Sequence, residues 1–355
     1  MGKKTYIGVS SKARKVKKAY IGVSGKARKI KKIYIGVNGK ARCIFGGAEL
    51  NYYGTATDMT QSSPIVFGSS NANYAVFLNN SVPFGDAYNS SLTKSELSSK
   101  PSAPMYGRAT ATVGVYALFG GGATSGAPSG SNPVHAYNGS LTMTQKTLSS
   151  NRRYLTGVSF GNYALFGGGN VSSSTYASTV DAFDTSLTLK TVTDLSVKRQ
   201  YLGGAKVGNY AVFAGGSQSV VTDAVDAYDT SLTKSTPTAL STKRTTTGVS
   251  VGNYALFVGS GTVVDAYNSS LTRSTPTALS VSRDSFQPTT LGDYAIIAGG
   301  STSNTAVDVY DTSLTRTLAT PLSVARTGIA GATIGGYALF AGGYSKKTVD
   351  VYQLS

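Results

Sequence analysis

Short apolar runs bounded by glycine and polar residues recur along most of the chain. The run GNYAVFAGG at 208–216 combines a turn pair, an apolar strand and a closing pair of glycines. Close copies of this run occur seven times, and their shared tyrosines are Tyr74, Tyr116, Tyr163, Tyr210, Tyr254, Tyr294 and Tyr337. Successive copies are 42, 47, 47, 44, 40 and 43 residues apart. A repeat of this length predicts a propeller or a solenoid.

Each period contains four runs with strand character, separated by turn signals. The period that begins at Arg244 reads RTTTGVSV, the turn pair GN, YALFVGSG, TVVDAYN and SSLTRSTPTAL. The pair Gly252-Asn253 suits that tight turn because glycine adopts a positive φ without strain. Asn268 suits a later turn because its side chain accepts backbone N–H bonds. The pattern predicts four strands per repeat, which are called first to fourth below.

The repeats resemble kelch repeats. In both, a basic residue opens the first strand, an apolar second strand ends in two glycines, and an acidic and aromatic third strand precedes a fourth. The resemblance covers the body of the chain, residues 48–355, and implies a propeller of four-stranded blades. The chain has no tryptophan, which kelch repeats carry in the fourth strand, so we describe the repeats as kelch-like.

The two ends of the body complement each other. The chain finishes with VDVYQLS, a third strand without a fourth, whereas residues 52–60, YYGTATDMT, have the pattern of a fourth strand. We therefore predict that Tyr52 to Thr60 completes the last blade, since closure removes an open sheet edge. The predicted fold is all-β: a seven-bladed kelch-like β-propeller preceded by a small basic β-hairpin repeat segment, residues 1–47.

Positive charge is concentrated in that first segment. The whole chain has a formal net charge of +17, and residues 1–47 contain 14 Lys and Arg and no acidic residue. The segment repeats every 14 residues around Tyr6, Tyr20 and Tyr34, and each copy has the pattern of a hairpin. The basic residues could bind nucleic-acid phosphates, dock onto an acidic protein surface, or form a solvated face that discourages aggregation.

The repeated YIGVxGKARK units resemble repeats near the start of tail-associated and other structural proteins of phages and prophages of Gram-positive bacteria. The resemblance implies attachment to a virion. The candidate attachment residues are Lys3, Lys4, Arg14, Lys17, Lys18, Arg28, Lys31, Lys32 and Arg42.

Opposite charges occupy repeated positions in the propeller. Arginine opens the first strand of six blades, at Arg108, Arg153, Arg199, Arg244, Arg283 and Arg326. Aspartate occupies the third strand of six blades, at Asp86, Asp181, Asp226, Asp265, Asp308 and Asp350, and His135 replaces it in the seventh. The arginines either hydrogen-bond these acids and nearby carbonyls or form a ring that holds an anionic ligand.

A ligand site is expected where the repeats differ. The loops after the second strand and the connections into the first strand vary, so they predict one variable face of the ring. Tyrosine there supplies a flat apolar surface and arginine supplies forked donors, which suits a sugar ring or an acidic polymer. The alternative is that these loops vary because nothing constrains them. The candidate residues are Tyr106, Arg108, Arg152, Arg153, Tyr154, Tyr176, Arg199 and Tyr201.

Catalytic motifs are scarce. One histidine and one cysteine argue against a multi-histidine metal site and a Cys-His nucleophile, and the GGG strings do not precede a helix. We therefore expect no enzyme activity, no metal and no cofactor. No apolar run is long enough for a membrane span, and no secretory signal follows the first lysines.

These observations predict a noncatalytic structural protein of a phage or prophage virion, made in the bacterial cytoplasm and located in the tail or another surface structure. Its basic segment would dock to other virion proteins, within an oligomeric assembly, and its propeller would present a binding face to a host surface glycan. The alternative is an intracellular protein-interaction module whose basic segment binds nucleic acid.

Overall fold

The computed structural model of the chain describes six strands within residues 6–45 and all residues of 49–124, 130–300 and 304–355. The chain divides into two compact units, Met1–Leu50 with Ser355, and Asn51–Leu354. The first unit contains three antiparallel hairpins, β1-β2, β3-β4 and β5-β6. Their bounds are β1 Tyr6–Val9, β2 Lys12–Lys15, β3 Ala19–Val23, β4 Lys26–Ile30, β5 Ile33–Val37 and β6 Lys40–Phe45. The side chains of the nine candidate attachment residues lie outside the described part of the structure.

Seven four-stranded sheets form the second unit. The strands in chain order are β7 Leu50–Ala56; β8 Val66–Ser70, β9 Tyr74–Asn79, β10 Gly85–Asn89 and β11 Lys94–Glu96; β12 Ala109–Val113, β13 Tyr116–Gly120, β14 Ser131–Tyr137 and β15 Met143–Arg152; β16 Thr156–Phe160, β17 Tyr163–Gly167, β18 Val180–Asp184 and β19 Leu189–Thr191; β20 Gly203–Val207, β21 Tyr210–Ala214, β22 Val225–Tyr228 and β23 Lys234–Ser235; β24 Thr247–Val251, β25 Tyr254–Val258, β26 Asp265–Asn268 and β27 Arg273–Ser274; β28 Thr289–Leu291, β29 Tyr294–Ala298, β30 Val307–Asp311 and β31 Arg316–Ala319; β32 Ala330–Ile334, β33 Tyr337–Ala341 and β34 Val349–Leu354.

Six blades each consist of four consecutive antiparallel strands, and the last has the order β32-β33-β34-β7. The prediction of an all-β, seven-bladed propeller is confirmed. The outer strand of the seventh blade spans Leu50–Ala56, so it begins and ends earlier than the segment 52–60 that the sequence pattern indicated.

The first strands of neighbouring blades approach each other closely around the central channel. A Cβ atom placed on Gly157 would lie 2.2 Å from the carbonyl oxygen of Thr110, and one on Gly248 would lie 2.3 Å from that of Gly204. Glycine is required at these two positions because any side chain would collide with the backbone of the next blade. At these two positions the neighbouring blades therefore meet backbone to backbone.

Aromatic residues of the third strands fill the space between blades. The ring of Tyr228 makes an edge contact with Phe213 at 5.8 Å between centroids, and its hydroxyl donates to the carbonyl of Thr193 at 2.8 Å. Tyr88 of the first blade donates in the same way to Thr57 at 2.7 Å. Thr57 follows β7 as Thr193 follows β19, so the first and seventh blades are joined by the same contact as the third and fourth.

In five blades, a buried ion pair links an arginine just before the first strand to an aspartate of the third strand. In the fourth blade, Arg199 Nη2 lies 2.8 Å from Asp226 Oδ2, and both side chains are fully buried. Asp226 also accepts the backbone N–H of Ser196 at 3.0 Å. The five pairs are Arg152–Asp181, Arg199–Asp226, Arg244–Asp265, Arg283–Asp308 and Arg326–Asp350.

In the third blade, the arginine that the sequence analysis placed at the start of the first strand is the wrong one. Arg152, and not Arg153, occupies the repeated position and pairs with Asp181. Arg153 is half-buried and belongs to the variable face of the ring.

Replacement of Asp350 by Asn tests the energetic role of the ion pairs. Asp350 pairs with Arg326 and accepts the N–H of Ser323 at 3.0 Å. Asn cannot balance the buried guanidinium, so we expect the free energy of unfolding in urea to fall by about 3–5 kcal/mol.

Asp311→Asn is the matched control, because Asp311 only caps an exposed turn through the N–H groups of Ser313 and Thr315. Asn268 makes the same bonds in another blade, so the change should cost less than about 0.5 kcal/mol. Equal losses in the two variants would contradict a special role for the buried pair.

Candidate ligand-binding site

A cavity of about 480 Å³ lies at one end of the channel, within the usual size range of ligand pockets. Its wall includes connections that lead into the first strands, such as Gly107, Tyr154 and Tyr201, and the loop residues Gly259 and Ser260. Isolated bridges between Tyr106 and Ala123, Arg153 and Asn170, and Gln200 and Ser217 join these connections to the loops after the second strands. Both variable regions of the repeat therefore lie on this face.

Gln287 forms part of the cavity wall and crosses the channel. It precedes the first strand of the sixth blade, yet its side-chain amide donates to the carbonyl of Gly68 at 2.6 Å and to Thr110 Oγ1 at 2.9 Å. Its side-chain oxygen accepts the N–H of Gly68 at 3.0 Å. The amide thereby ties the sixth blade to the first and second blades in the middle of the ring.

Three tyrosines and an arginine form a continuous surface, the tyrosine ledge, defined as Tyr106, Arg153, Tyr154 and Tyr201. Ring centroids are 6.1 Å apart for Tyr106 and Tyr154, and 4.6 Å apart for Tyr154 and Tyr201. The Arg153 guanidinium lies 5.5 Å from the Tyr106 ring centroid and 5.3 Å from that of Tyr154. Arg153 also donates to the Tyr106 hydroxyl at 2.6 Å and to Asn170 Oδ1 at 3.1 Å. These contacts hold the arginine against the aromatic faces.

Tyr154 and Tyr201 have left-handed backbone conformations, with φ of 54° and 53°. Gly107 and Gly328 occupy the corresponding place in two other blades, each with φ of 69°. The conformation turns each carbonyl toward the next blade: Tyr201 N–H donates to Tyr154 O at 3.0 Å, and Thr246 N–H donates to Tyr201 O at 3.1 Å. A left-handed conformation costs a residue with a Cβ roughly 1–2 kcal/mol. Tyr154 and Tyr201 therefore place large side chains on the variable face at a cost in backbone strain that Gly107 and Gly328 avoid.

Tyr176 adjoins the ledge. It forms a bridge with Asn170, the residue that accepts a hydrogen bond from Arg153. The pKa of Tyr201 is raised above its ordinary value, chiefly by burial and then by the neighbouring Tyr154, with a smaller effect from Tyr176. The raised pKa keeps the hydroxyl of Tyr201 protonated and neutral at neutral pH. The residue is also 44% exposed, so a ligand can reach it.

The structure brings together five of the eight candidate residues, namely Tyr106, Arg153, Tyr154, Tyr176 and Tyr201. The other three arginines are buried. Arg152 and Arg199 are fully enclosed in ion pairs with Asp181 and Asp226, so their guanidinium groups stabilise blades and are not presented on the face. Arg108 lines the cavity but is 6% exposed and contacts His135.

Two residues of the cavity were not expected from the sequence, and two arginines were assigned to the wrong register: Arg152 and not Arg153, and Met105 and not Arg108, align with Arg199. Gln287 and the exposed Asp284 line the cavity, and neither belongs to a repeated pattern. The sequence does indicate the correct register for Arg152, because Arg152-Arg153-Tyr154-Leu155 aligns with Arg199-Gln200-Tyr201-Leu202. That alignment places Arg152, and not its neighbour, beside Arg199.

Comparisons with solved structures define the class of fold. The chain is similar to the structure of YjhT, with 12% identity, a TM-score of 0.55, and coverage of 84% of this chain and 98% of that chain. It is also similar to a streptogramin B lyase, with 12% identity, a TM-score of 0.60, and coverage of 87% and 98%. The second unit of the chain is thus a seven-bladed β-propeller. No protein-family model matches the sequence, and no curated protein matches it.

The expectation that the chain is not an enzyme is corrected by this comparison. A lyase has the same fold, so scarcity of familiar catalytic motifs in a propeller sequence does not exclude catalysis. At 12% identity the likeness carries the fold alone and assigns no reaction. Within the described residues, no cluster of His, Cys, Asp and Glu could hold a metal ion, and no helix is long and apolar enough to cross a membrane.

Substitution of Tyr201 by Ala and by Gly tests the backbone strain. Both variants lose the ring, but only glycine accepts the left-handed conformation without strain. We expect Tyr201→Gly to be more stable to urea than Tyr201→Ala by about 1 kcal/mol.

The control is the same pair of changes at Tyr53, which is 52% exposed and lies within the strand β7. Glycine should be the less stable variant there, by roughly 0.5–1 kcal/mol. The same order of stability at both positions would argue against strain at Tyr201.

Proposed function

We propose that the propeller is a glycan-binding module and that the tyrosine ledge holds a sugar ring at the wall of the 480 Å³ cavity. The observation that carries the proposal is the pair Tyr154 and Tyr201. Both retain a large aromatic side chain on a left-handed backbone where other blades have Gly107 or Gly328.

The chemistry of the ledge suits a carbohydrate. Tyrosine offers an apolar face for the C–H groups of a sugar and a hydroxyl for its O–H groups. The rings of Tyr154 and Tyr201 are tilted by 38° to each other, so they form a shallow, angled platform. Thr245, Ser260 and Asp284 add hydrogen-bonding groups elsewhere on the cavity wall. A mostly apolar concave site with a few polar groups is the usual composition of a binding pocket.

Attachment to a phage or prophage particle is the second part of the proposal. It is supported by the basic 14-residue repeats of residues 1–47 and their resemblance to repeats of tail-associated proteins. In this arrangement the basic segment binds other virion proteins, in an oligomeric assembly, and the propeller faces a glycan of the host surface.

A glycan array with the full chain, followed by calorimetric titration of each bound glycan, tests the binding function. We expect Tyr201→Gly to weaken binding at least tenfold, because the variant loses a stacking face while its backbone is unstrained. Tyr53→Phe is the matched control, since it alters an exposed tyrosine on a different strand, and its affinity should be unchanged. Absence of binding by the parent chain, or equal affinity in Tyr201→Gly, would overturn the proposal.

Replacement of all nine candidate attachment residues by Gln in the full chain tests the basic segment. We expect the variant to bind glycan like the parent but to be lost from purified particles. DNA binding by the parent, at 50 mM salt and weakening as salt rises, would favour the nucleic-acid alternative instead. Retention of the variant on particles would contradict attachment through these side chains.

A further inference from the structure

The second blade replaces both members of the repeated ion pair: Met105 occupies the position of Arg152 and Arg199, His135 occupies the aspartate position, and a buried arginine three residues further along, Arg108, contacts the histidine. In five blades an arginine before the first strand pairs with an aspartate of the third strand. In the second blade the third-strand position is occupied by His135, and Arg108 Nη1 lies 3.1 Å from His135 Nδ1. The two side chains are buried together, at 6% and 3% exposure.

His135 cannot supply the missing negative charge. Burial and the charge of Arg108 lower the pKa of His135 to about 3, so the imidazole is neutral at pH 7. Its Nδ1 therefore accepts a hydrogen bond from the guanidinium. Burial lowers the pKa of Arg108 to about 10, which leaves the arginine protonated at neutral pH. The second blade thus contains a buried positive charge beside a neutral partner.

No carboxylate forms an ion pair with Arg108 among residues 49–124, 130–300 and 304–355. Removing a charge from water without a counter-charge is unfavourable. An anion that enters the site would lower this cost by pairing with the guanidinium. The blade is therefore arranged so that a ligand could take the role that aspartate has in the other five.

Arg108 is positioned to meet a ligand of the tyrosine ledge. It lines the same cavity as Tyr154 and Tyr201. A Cβ on the preceding residue, Gly107, would lie 2.8 Å from the Tyr154 ring, so that ring packs directly on the backbone next to Arg108. Gly107 O also accepts the N–H of Tyr154 at 2.7 Å. Arg108 and the ledge therefore border one cavity, in which a single ligand could contact both.

We propose that Arg108 is an anion-binding residue that pairs with the acidic group, carboxylate or phosphate, of a glycan held on the tyrosine ledge. The identification of the ligand as a glycan rests on the proposed function, whereas the anion site itself rests on the missing acid in the second blade. His135 is a positioning residue, because it holds the guanidinium without neutralising it.

His135→Asp gives the most direct test, because it installs the carboxylate that the six other blades carry at this position and leaves Arg108 in place. In calorimetric titrations with the full chain, we expect the parent to bind a hexuronate oligosaccharide at least tenfold more tightly than a neutral oligosaccharide of equal length. The variant should bind both equally, with its affinity for the neutral one unchanged. An undiminished preference for the acidic oligosaccharide in the variant would overturn the proposal.

A second arm distinguishes the source of the acid. A glycerol-phosphate oligomer replaces the hexuronate in the same titrations. If His135→Asp weakens binding of the hexuronate, the acidic group is a carboxylate, and if it weakens binding of the glycerol-phosphate oligomer, the group is a phosphate. If neither affinity changes, Arg108 does not bind the acidic group. Arg108→Met, which removes the charge, should reproduce the loss and serves if the aspartate variant fails to fold.

Sulfate provides a probe that does not depend on any glycan. Added sulfate should raise the thermal midpoint of the parent more than that of His135→Asp, each measured against its own sulfate-free value. The basic segment is identical in both chains, so its own sulfate binding cancels in the comparison. If no glycan binds but this difference remains, the proposed function fails and the anion site stands. Equal sulfate responses would remove the anion site.

Discussion

The buried pair between an arginine and an aspartate is the interaction on which each regular blade depends. In the fourth blade it ties Arg199, just before the first strand, to Asp226 in the third strand, and Asp226 also holds the N–H of Ser196. Because both charges are removed from water, the loss of one partner leaves the other buried without a counter-charge. The pair therefore fixes the path of the chain as it enters the blade and reaches the rim of the channel.

The shape of the rim follows from that constraint. Tyr154 and Tyr201 each lie two residues after a paired arginine, and their left-handed backbones direct carbonyls to the neighbouring blade. Two other blades satisfy the same geometry with glycine, which carries no steric cost, and the sixth does so with Ser285. The two tyrosines therefore add an aromatic surface at a position where the other blades described above carry glycine or serine. Function in this propeller is best sought where a blade departs from the shared solution, as at Tyr154, Tyr201 and His135.

Repetition made the fold accessible from sequence. Seven copies of one strand-forming run, each with its turn residues, require the same packing, and the unmatched strands at the two ends of the body indicated closure. Two aspects needed three dimensions. The closing strand ends at Ala56 and not at Thr60, whose N–H and hydroxyl instead bind Asp86. The expectation of no catalysis was wrong because it rested on the scarcity of familiar catalytic motifs. A streptogramin B lyase, which is an enzyme, has this same fold.

The candidate site was partly predictable for a related reason. Sequence alone determined that tyrosine and arginine concentrate in the connections before three adjacent blades, and adjacency in the ring brings Tyr106, Arg153, Tyr154, Tyr176 and Tyr201 together. Residue type does not separate Arg152 from Arg153, but the alignment of Arg152-Arg153-Tyr154-Leu155 with Arg199-Gln200-Tyr201-Leu202 does. Burial decided that Arg152 and Arg199 hold aspartates while Arg153 lies on aromatic rings. Only the tertiary structure showed that His135, in place of an aspartate, leaves Arg108 without a counter-charge at the cavity wall. The physical reason is that charge balance in a protein interior depends on which side chains are buried together.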